Sequence, residues 1–238
     1  MALVTGGAKR VGRAMVQLLA ESRFDVAFTY LSSEAEAHSL SSDIACRLAK
    51  ALPIRADLTQ PDTAVPAIFS AFTAQFDRLD LLVNNASLFV PADLAGTDAS
   101  LISRLMAIHL TSPLLLAKQF APLLRSAKGH IVNMVDLLAE KPWPQYLAYS
   151  ASKAALANAT VSLARELAPE VTVNGIAPGV IEWPADMPNE QREQYLKRVP
   201  LGRPGTPEDA AKLVKFLATD GSYITGQILH LDGGRSIL

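Results

Sequence analysis

Three residues in the second half of the chain have side chains that could carry out proton transfer. Tyr149 and Lys153 lie four positions apart, and Asp136 precedes the tyrosine by thirteen residues. Residues four apart share one face of a helix. We therefore expect the lysine ammonium to favour the phenolate and lower the tyrosine pKa from ~10 toward working pH, which would make Tyr149 a general acid. Because Tyr-x-x-x-Lys also arises by chance on solvated helices, the pair needs a cofactor site beside it.

The composition excludes several classes of protein. The chain has 238 residues, half of them hydrophobic, with a formal net charge of −1 and scattered Lys and Arg, so it has no basic footprint for nucleic acid. Its single cysteine, Cys46, excludes an internal disulfide framework and a cysteine-rich zinc site, and we predict a buried, inert thiol and no metal. Neither a signal peptide nor an apolar run of ~20 residues stands out, so we expect a cytoplasmic protein with no membrane partner.

The elements that must position the trio follow from the alternation of short apolar runs with longer amphipathic stretches. We predict strands at 2–4, 26–30, 52–56, 79–83, 130–135, 171–176 and 227–231. Helical patterns lie between them at 13–20, 64–76, 101–124, 148–167 and 207–218. This order predicts an α/β fold with a mainly parallel, doubly wound sheet and helices on both faces.

The pattern breaks between residues 178 and 207, which are rich in proline and polar groups. We interpret 1–238 as one domain, with 178–207 a substrate loop that contains a short helix at 189–199. Ligands in doubly wound folds bind at the carboxyl ends of the strands, and the motifs below all lie there.

A glycine-rich turn follows the first predicted strand and opens the first helix. Its sequence runs from Thr5 to Gly12, and its glycines allow backbone N–H groups to meet a pyrophosphate. The residues expected to bind the cofactor here are Gly6, Lys9, Arg10 and Val11. The alternatives are a plain strand-to-helix turn and, for Gly12, close helix–sheet packing.

The end of the second strand is where an acidic residue would select an unphosphorylated ribose. This chain has Tyr30, Leu31, Ser32 and Ser33 there, with Lys9 and Arg10 nearby, which favours the 2′-phosphate of NADPH. Glu34 follows closely, and its carboxylate would disfavour a phosphate there. The two serines could instead cap the next helix.

Two further strand ends complete the predicted cofactor site. Asp57, followed by Leu58, could accept the adenine amino group or cap the helix beyond Thr59. Asn85, Ala86 and Ser87 follow the fourth strand, where small residues let the backbone approach a cofactor; a polar turn is the alternative.

In this order the motifs resemble those of the short-chain dehydrogenase/reductase superfamily over essentially the whole chain. The matching pieces are Thr5-Gly6-x5-Gly12, Asn84-Asn85-Ala86, Tyr149-x3-Lys153, Asn174 with Pro178-Gly179, and Asp232-Gly233-Gly234. The resemblance implies a Rossmann-type sheet and a nicotinamide cofactor held in part by Pro178, Gly179 and Val180. It also implies that Tyr149 is the proton donor and that Lys153 holds the nicotinamide ribose.

Two departures from the general pattern look like the pteridine reductase branch. Arg10 replaces the middle glycine of the turn, and Asp136 replaces the usual catalytic serine. The segments Asn84-Asn85-Ala86-Ser87-x-Phe89 and Arg198-Val199-Pro200-Leu201 fit the same branch. The branch implies that the aspartate works with the tyrosine, that Phe89 stacks on a pterin, and that Arg10 lies near pyrophosphate and substrate.

Two other positions depart from the family in a different direction. His109 stands where the superfamily usually has an asparagine supporting a water relay to the lysine; a histidine could carry protons or merely fill space. Leu31 and Ser32 replace basic residues found in some pteridine reductases.

The aspartate also limits the chemistry on physical grounds. A carboxylate would repel the oxyanion formed from a carbonyl and would raise the pKa of Tyr149. It suits a C=N bond, because the nitrogen gains a proton as the carbon gains hydride. We predict NADPH-dependent reduction of a dihydropterin or dihydrofolate-like ring, with substrate contacts from Arg10, Ser87, Phe89, Asp136, Tyr149 and Trp183.

Plainer interpretations remain for several of these residues. Asp136 could bind backbone amides at a strand end, Phe89 could be a core aromatic, and Trp183 and Met187 could pack a loop. Alternative functions are a carbonyl or 3-oxoacyl thioester reductase and a non-catalytic NADP-binding regulatory protein. The resemblance implies a homotetramer, for which helices 101–124 and 148–167 could supply interfaces.

Overall fold

A computed structural model describes residues 1–45, 49–183 and 187–238, so Cys46 lies outside the described residues. Seven parallel strands form one sheet in the order β3-β2-β1-β4-β5-β6-β7. The strands are β1 (Ala2–Val4), β2 (Val26–Tyr30), β3 (Ala51–Arg55), β4 (Leu81–Asn84), β5 (His130–Met134), β6 (Thr172–Pro178) and β7 (Ile228–Leu231).

The helices of the described residues connect these strands. They are α1 (Arg10–Glu21), α2 (Glu34–Ala45), α3 (Pro61–Thr73), α4 (Ala99–Met106), α5 (Ser112–Ala127), α6 (Leu147–Glu166), α7 (Asn189–Leu196) and α8 (Pro207–Thr219). A π-helical turn, Ala107–Thr111, joins α4 to α5, and 3-10 turns lie at Leu137–Ala139 and Arg235–Ile237.

Two hydrophobic cores lie on opposite faces of the sheet. Alternate residues of a strand point to opposite faces, so Ala2 and Val4 of β1 pack with α1, α2 and α8, whereas Leu3 packs with α3 and α5. Phe72 and Phe120 are fully buried in the second core with their rings edge to face, 5.2 Å apart. Burial of each such side chain contributes roughly 1.5–3 kcal/mol, so both helical layers are held to the sheet by apolar packing.

The predicted parallel, doubly wound sheet is confirmed, with each predicted strand boundary within two residues of the observed one. The pattern did not single out α2, because its buried face consists only of Ala37, Leu40 and Ile44 among polar residues. The predicted helix at 101–124 is interrupted by the π-helical turn, a distortion that often marks functional sites.

The expectation of no apolar stretch long enough to cross a membrane needs correction. The helical stretch Ala99–Ala127 is long and apolar enough by length and composition, and an 18-residue window of it has a mean hydropathy of 1.4. Its Leu105, Leu116, Phe120 and Leu124 are fully buried in the protein, although only 28% of that window is buried.

The strand order reverses between β1 and β4, because β1 has β2 on one side and β4 on the other. The connections on either side of such a point leave on opposite faces and open a crevice at the carboxyl ends of the strands. A cleft of ≈ 710 Å³ lies there, lined by Gly6, Asn85, Asp136, Tyr149 and their neighbours. Its volume is in the range of small-molecule and cofactor sites.

Replacing Gly12 with alanine is expected to destabilise the turn at the base of this cleft. An added Cβ would lie 2.1 Å from the carbonyl oxygen of Gly6 and 2.7 Å from Nδ2 of Asn85. The backbone must then shift, and overpacking of this kind lowers the free energy of unfolding by about 1–3 kcal/mol. Chemical denaturation measures the change.

Gly205→Ala is the matched control, because its Cβ would meet nothing closer than 3.4 Å. Equal losses of stability in the two variants would contradict the steric explanation.

Candidate active site

The predicted catalytic trio comes together at the carboxyl edge of the sheet. Asp136 follows β5, and the first two turns of α6 present Tyr149 and Lys153. The hydroxyl of Tyr149 donates to Oδ2 of Asp136 at 2.7 Å, and Oδ1 accepts from the N–H of Leu138 at 2.8 Å. Asp136 therefore binds a backbone amide and the tyrosine at once, so the plain and the functional interpretations of it both hold geometrically.

The structure reverses the expected pKa shift of Tyr149. Burial, the charge of Asp136 and the hydrogen bond to Asp136 raise the pKa of Tyr149 well above its ordinary value of 10.0, and a hydrogen bond with Ser87 acts weakly against them. The ammonium of Lys153 lies 5.8 Å from the ring centroid and donates to the carbonyl of Met134 at 2.7 Å. The prediction that the lysine lowers the tyrosine pKa is thus wrong in this state, whereas the predicted opposing effect of Asp136 is present.

Asp136 and Lys153 are both shifted toward their neutral forms. Burial raises the pKa of Asp136, partly offset by the Leu138 N–H, the charge of Lys153 and the Tyr149 hydroxyl. Burial lowers the pKa of Lys153 to about 8, partly offset by the charge of Asp136. The site can therefore hold a proton on either a carboxyl or a phenol group next to bound substrate.

His109 lies at the π-helical turn and forms a buried hydrogen-bond network behind Tyr149. Its Nε2 contacts Oγ of Ser87 at 2.8 Å and accepts from the N–H of Leu88 at 3.3 Å. Its Nδ1 contacts Oγ of Ser152 at 2.8 Å, and that hydroxyl donates to the carbonyl of Tyr149 at 2.6 Å. Burial, and secondarily the charge of Lys153, lower the pKa of His109 to about 2. Burial therefore favours the neutral imidazole of His109 at neutral pH.

The glycine turn packs closely against the residues that follow β4. Gly6 has a φ of +65°, and a Cβ there would lie 2.9 Å from Cα of Ala86. The side chain of Asn85 fastens the turn, donating to the carbonyls of Thr5 at 2.9 Å and Gly6 at 3.1 Å. The N-terminus of α1, with the unpaired N–H groups that every helix start carries, opens onto the cleft beside Val11 and Gly12.

Both cations of this turn are paired with carboxylates from other elements. Lys9 forms an ion pair with Glu36 of α2 at 2.7 Å, and Arg10 pairs with Glu182 of the loop after β6. Arg10 has a positive φ of 53°, and both Arg10 and Glu182 line the cleft. A phosphate that binds either cation must compete with a carboxylate, a feature the sequence pattern did not reveal.

The cleft extends toward the ends of β2 and β3. Tyr30, Leu31, Asp57 and Leu58 line it, whereas the lining drawn from the described residues does not include Ser32 or Ser33. Oδ1 of Asp57 accepts from the N–H of Thr59 at 2.9 Å and its hydroxyl at 2.7 Å. The alternative role of Asp57 in capping the following turn is therefore present in the structure, and adenine recognition stays a prediction.

Aromatic rings form the other side of the cleft. Phe89 is 42% exposed, which excludes the core interpretation, and it stacks on Tyr146 with centroids 4.4 Å apart. Its ring meets Tyr149 edge to face at 4.8 Å. Trp143 and Tyr195 also line the cleft and contact each other at 5.7 Å. Sequence reasoning missed these two, although their aromatic character was a signal.

Trp183 occupies a different position from the predicted one. Its ring packs edge to face on that of Tyr195, with centroids 5.5 Å apart. The guanidinium carbon of Arg192 lies over the indole, 5.9 Å from the ring centroid. Among the described residues that line the cleft, Tyr195 stands where Trp183 was expected. The remaining predicted contacts, Pro178, Gly179 and Val180, line the cleft, and the N–H of Val180 donates to the hydroxyl of Tyr195 at 3.2 Å.

The sheet, the glycine turn and the Tyr149–Lys153 pair define a dinucleotide-binding oxidoreductase domain. Residues 6–236 match the family model described as enoyl-(acyl carrier protein) reductase. Pteridine reductase 1 of Leishmania tarentolae is 34% identical, over 100% of this chain and 96% of its own length. A 3-oxoacyl-[acyl-carrier-protein] reductase, FabG, of Staphylococcus aureus is also 34% identical, over 98% and 96%. The chain belongs to the short-chain dehydrogenase/reductase family.

Solved structures agree with this assignment. FolM alternative dihydrofolate reductase 1 from Brucella canis, complexed with NADP, has a TM-score of 0.92 and 34% identity, covering 100% of this chain and 94% of its own. A blue fluorescent protein from a metagenomic library, in complex with NADPH, has a TM-score of 0.91 and 33% identity, covering 99% and 97%. The protein is therefore an oxidoreductase of the family with a site for NAD(P), and its substrate is not settled by likeness, because pterin and acyl reductases match it equally well.

The neutral, buried state of His109 predicts a pH dependence of stability. In the unfolded chain the imidazole has its ordinary pKa of 6.5, so below that pH the unfolded chain binds a proton that the folded chain does not. Stability is therefore lost as pH falls. Between about pH 7.5 and pH 5, the wild type should lose ~2 kcal/mol more than a His109→Gln variant.

Urea denaturation at several pH values measures this difference. His38→Gln on the exposed face of α2 is the control and should follow the wild type. Parallel losses in the wild type and His109→Gln would show that His109 titrates normally in the folded protein.

Proposed function

We propose that the protein is an NADPH-dependent reductase of a pterin ring C=N bond, acting on a dihydropterin or dihydrofolate-like substrate. The observation that carries the proposal is the 2.7 Å hydrogen bond from Tyr149 to Asp136 at the place where hydride acceptor and proton donor must meet. A carboxyl group so close to the tyrosine opposes a developing oxyanion and is compatible with a ring nitrogen that gains a proton.

The residues of this chain would divide the work of that reaction. Bound in the cleft, the nicotinamide cofactor supplies a hydride to the ring carbon. Tyr149 donates a proton to the adjacent nitrogen, and Asp136, whose pKa is raised by burial, replaces that proton or supplies it directly. Lys153 holds the nicotinamide ribose and offsets the negative charge that remains on the tyrosine and aspartate.

The walls of the cleft suit a flat ring with N–H groups. Phe89 offers an exposed aromatic face next to Tyr149, on which such a ring can stack. Arg10 and Ser87 supply polar contacts at its edges. Trp143 and Tyr195 extend the aromatic wall beyond the positions that the family resemblance implied.

The rival function is a carbonyl or 3-oxoacyl thioester reductase, favoured by the equal likeness to the Staphylococcus aureus enzyme. In that reaction an ionised Asp136 would lie close to the oxyanion, and like charges in a low-dielectric site repel each other. A steady-state assay with NADPH and dihydrobiopterin, dihydromonapterin or dihydrofolate distinguishes the two. Turnover of ketones or 3-oxoacyl thioesters, with none of the pterins or folates, would overturn the proposal; cofactor binding without any turnover would indicate a regulatory protein.

Asp136→Ser should separate the two chemistries within one fold. Loss of the carboxyl group removes the proton reserve, so kcat/KM for the dihydropterin should fall about 10²-fold or more. A serine hydroxyl can stabilise an oxyanion, so reduction of a small ketone should hold or rise.

Asp136→Asn is the paired control, because an amide oxygen can still accept from Leu138 but the group cannot carry an acidic proton. Both variants should lose pterin reduction. Unchanged pterin reduction in either one would remove Asp136 from the mechanism.

We also propose that NADPH is the preferred cofactor and that its 2′-phosphate takes the place of Glu36 on Lys9. The ion pair is half exposed, and exposed pairs of this kind contribute little to stability, so that a phosphate can displace the carboxylate. Glu36→Gln should therefore increase the affinity for NADPH relative to NADH by about twofold to fivefold. Fluorescence titration of the two dinucleotides measures the ratio without any substrate.

Asp43→Asn is a matched control, since Asp43 lies on the same helix as Glu36 and pairs with Arg13 of α1 at 3.2 Å. That variant should leave the ratio unchanged. A ratio that changes equally in both variants would reflect general surface charge and not competition at Lys9.

Other expectations extend the proposal beyond the site. We infer that 178–207 acts as a substrate loop of a single domain, since α7 and Tyr195 belong to it and Tyr195 lines the cleft. The exposed apolar side chains Ile102, Leu147 and Val161 on α4 and α6 support the inferred tetramer interfaces. We infer a cytoplasmic location, where NADPH is available.

A further inference from the structure

The hydrogen bonds of His109 fix which of its ring nitrogens carries the proton. The backbone N–H of Leu88 can only donate, and it points at Nε2 at 3.3 Å, so Nε2 is the unprotonated nitrogen. In a neutral imidazole the proton then lies on Nδ1, which donates to Oγ of Ser152 at 2.8 Å. The hydroxyl of Ser152 donates a hydrogen bond to the carbonyl of Tyr149 at 2.6 Å, so every member of the network has a consistent role.

This assignment determines the orientation of the Ser87 hydroxyl. Oγ of Ser87 lies 2.8 Å from Nε2, which is an acceptor, so Ser87 donates its only proton to His109. The lone pairs of that oxygen are left for the other side, where Ser87 lines the cleft beside Tyr149. The phenol oxygen of Tyr149 is a competing acceptor for the same proton, but an imidazole nitrogen is the more basic of the two.

The part of the network that His109 and Ser152 form is shielded from solvent. His109 is 1% exposed and Ser152 is fully buried. The ring of Tyr149 stands perpendicular to the imidazole, with centroids 5.4 Å apart, and blocks its front face. A buried network in which each group has one satisfying arrangement resists reorientation, because a reversed hydroxyl would leave Nε2 with only the longer bond from Leu88.

We propose that His109 is a specificity-determining positioning residue that makes Ser87 a hydrogen-bond acceptor toward the substrate. An acceptor at that place selects ligands with N–H groups, such as an aminopyrimidine ring, over ligands that present only carbonyl oxygens. The choice of substrate class rests on the proposed function, whereas the orientation of Ser87 rests on the network alone.

Two substitutions separate the acceptor role from the space-filling role of His109. A glutamine side chain reaches about as far as Nε2 and can place its amide oxygen against Ser87 and Leu88. An asparagine reaches only about as far as Nδ1, so it keeps a donor for Ser152 and leaves Ser87 without its acceptor. Ser152→Ala removes the far end of the network and leaves the Nε2 acceptor in place.

The first measurement is the tautomer of His109 in the wild-type protein. Nitrogen-15 NMR of the histidine rings should show a neutral imidazole with the proton on Nδ1 across the neutral pH range. A proton on Nε2 would overturn the proposal.

The second measurement is the ratio of binding constants for biopterin and for a 3-oxoacyl thioester, each titrated into the NADP⁺-loaded protein. Relative to the wild type, His109→Gln and Ser152→Ala should keep the ratio within about threefold, whereas His109→Asn should lower it about tenfold, the effect of one misdirected hydrogen bond. Because the ratio compares two ligands in the same protein, a partly unfolded variant does not distort it.

Equal ratios in the glutamine and asparagine variants would overturn the positioning role. Absence of dihydropterin turnover by the wild type would overturn the proposed function but not this role, because both measurements use equilibrium properties. Retained dihydropterin turnover by the wild type, with an unchanged ratio in His109→Asn, would overturn the positioning role and leave the proposed function standing.

Discussion

Three titratable side chains lie together in a buried region at the carboxyl edge of the sheet, and the rest of the site offsets the free-energy cost of burying them. Asp136, Tyr149 and Lys153 each have a pKa shifted toward the neutral form by burial. Burial of such groups is tolerated only when each has hydrogen-bond partners. The Met134 carbonyl at the end of β5 and the Leu138 N–H in the 3-10 turn that follows supply two of them. The strand end and this turn therefore position the groups, and burial shifts their pKa values.

The fold brings these partners together through its topology. Reversal of the strand order beside β1 opens the cleft, and the two apolar layers fix α1 and α6 on opposite faces of the sheet. The π-helical turn carries His109, whose ring lies behind Tyr149. This local irregularity in the helix thus contributes a side chain to the hydrogen-bond network of the site.

The sequence predicted the elements whose signal is local. Alternating apolar runs predicted all seven strands, and the glycine turn and the Tyr149–Lys153 spacing are equally local patterns. The role of Asp136 was predicted from the resemblance to a known family and not from its neighbours. The direction in which the pKa of Tyr149 shifts could not be predicted, because the shift depends on burial by elements distant in the chain. The contact of Trp143 with Tyr195 and the pairing of Lys9 with Glu36 join residues far apart in the chain. Trp183 was expected in the cleft because it belongs to the predicted substrate loop, but its ring packs on Tyr195 of α7.

The packing around Tyr195 gives the protein a natural optical reporter. The chain has two tryptophans, Trp143 and Trp183, and both rings contact this one tyrosine. Indole emission depends on local polarity and on nearby quenchers, and it overlaps the absorption of a reduced nicotinamide. Entry of a ring or a dinucleotide into the cleft should therefore change the intrinsic fluorescence of the unlabelled protein, because the chain has no tryptophan other than these two.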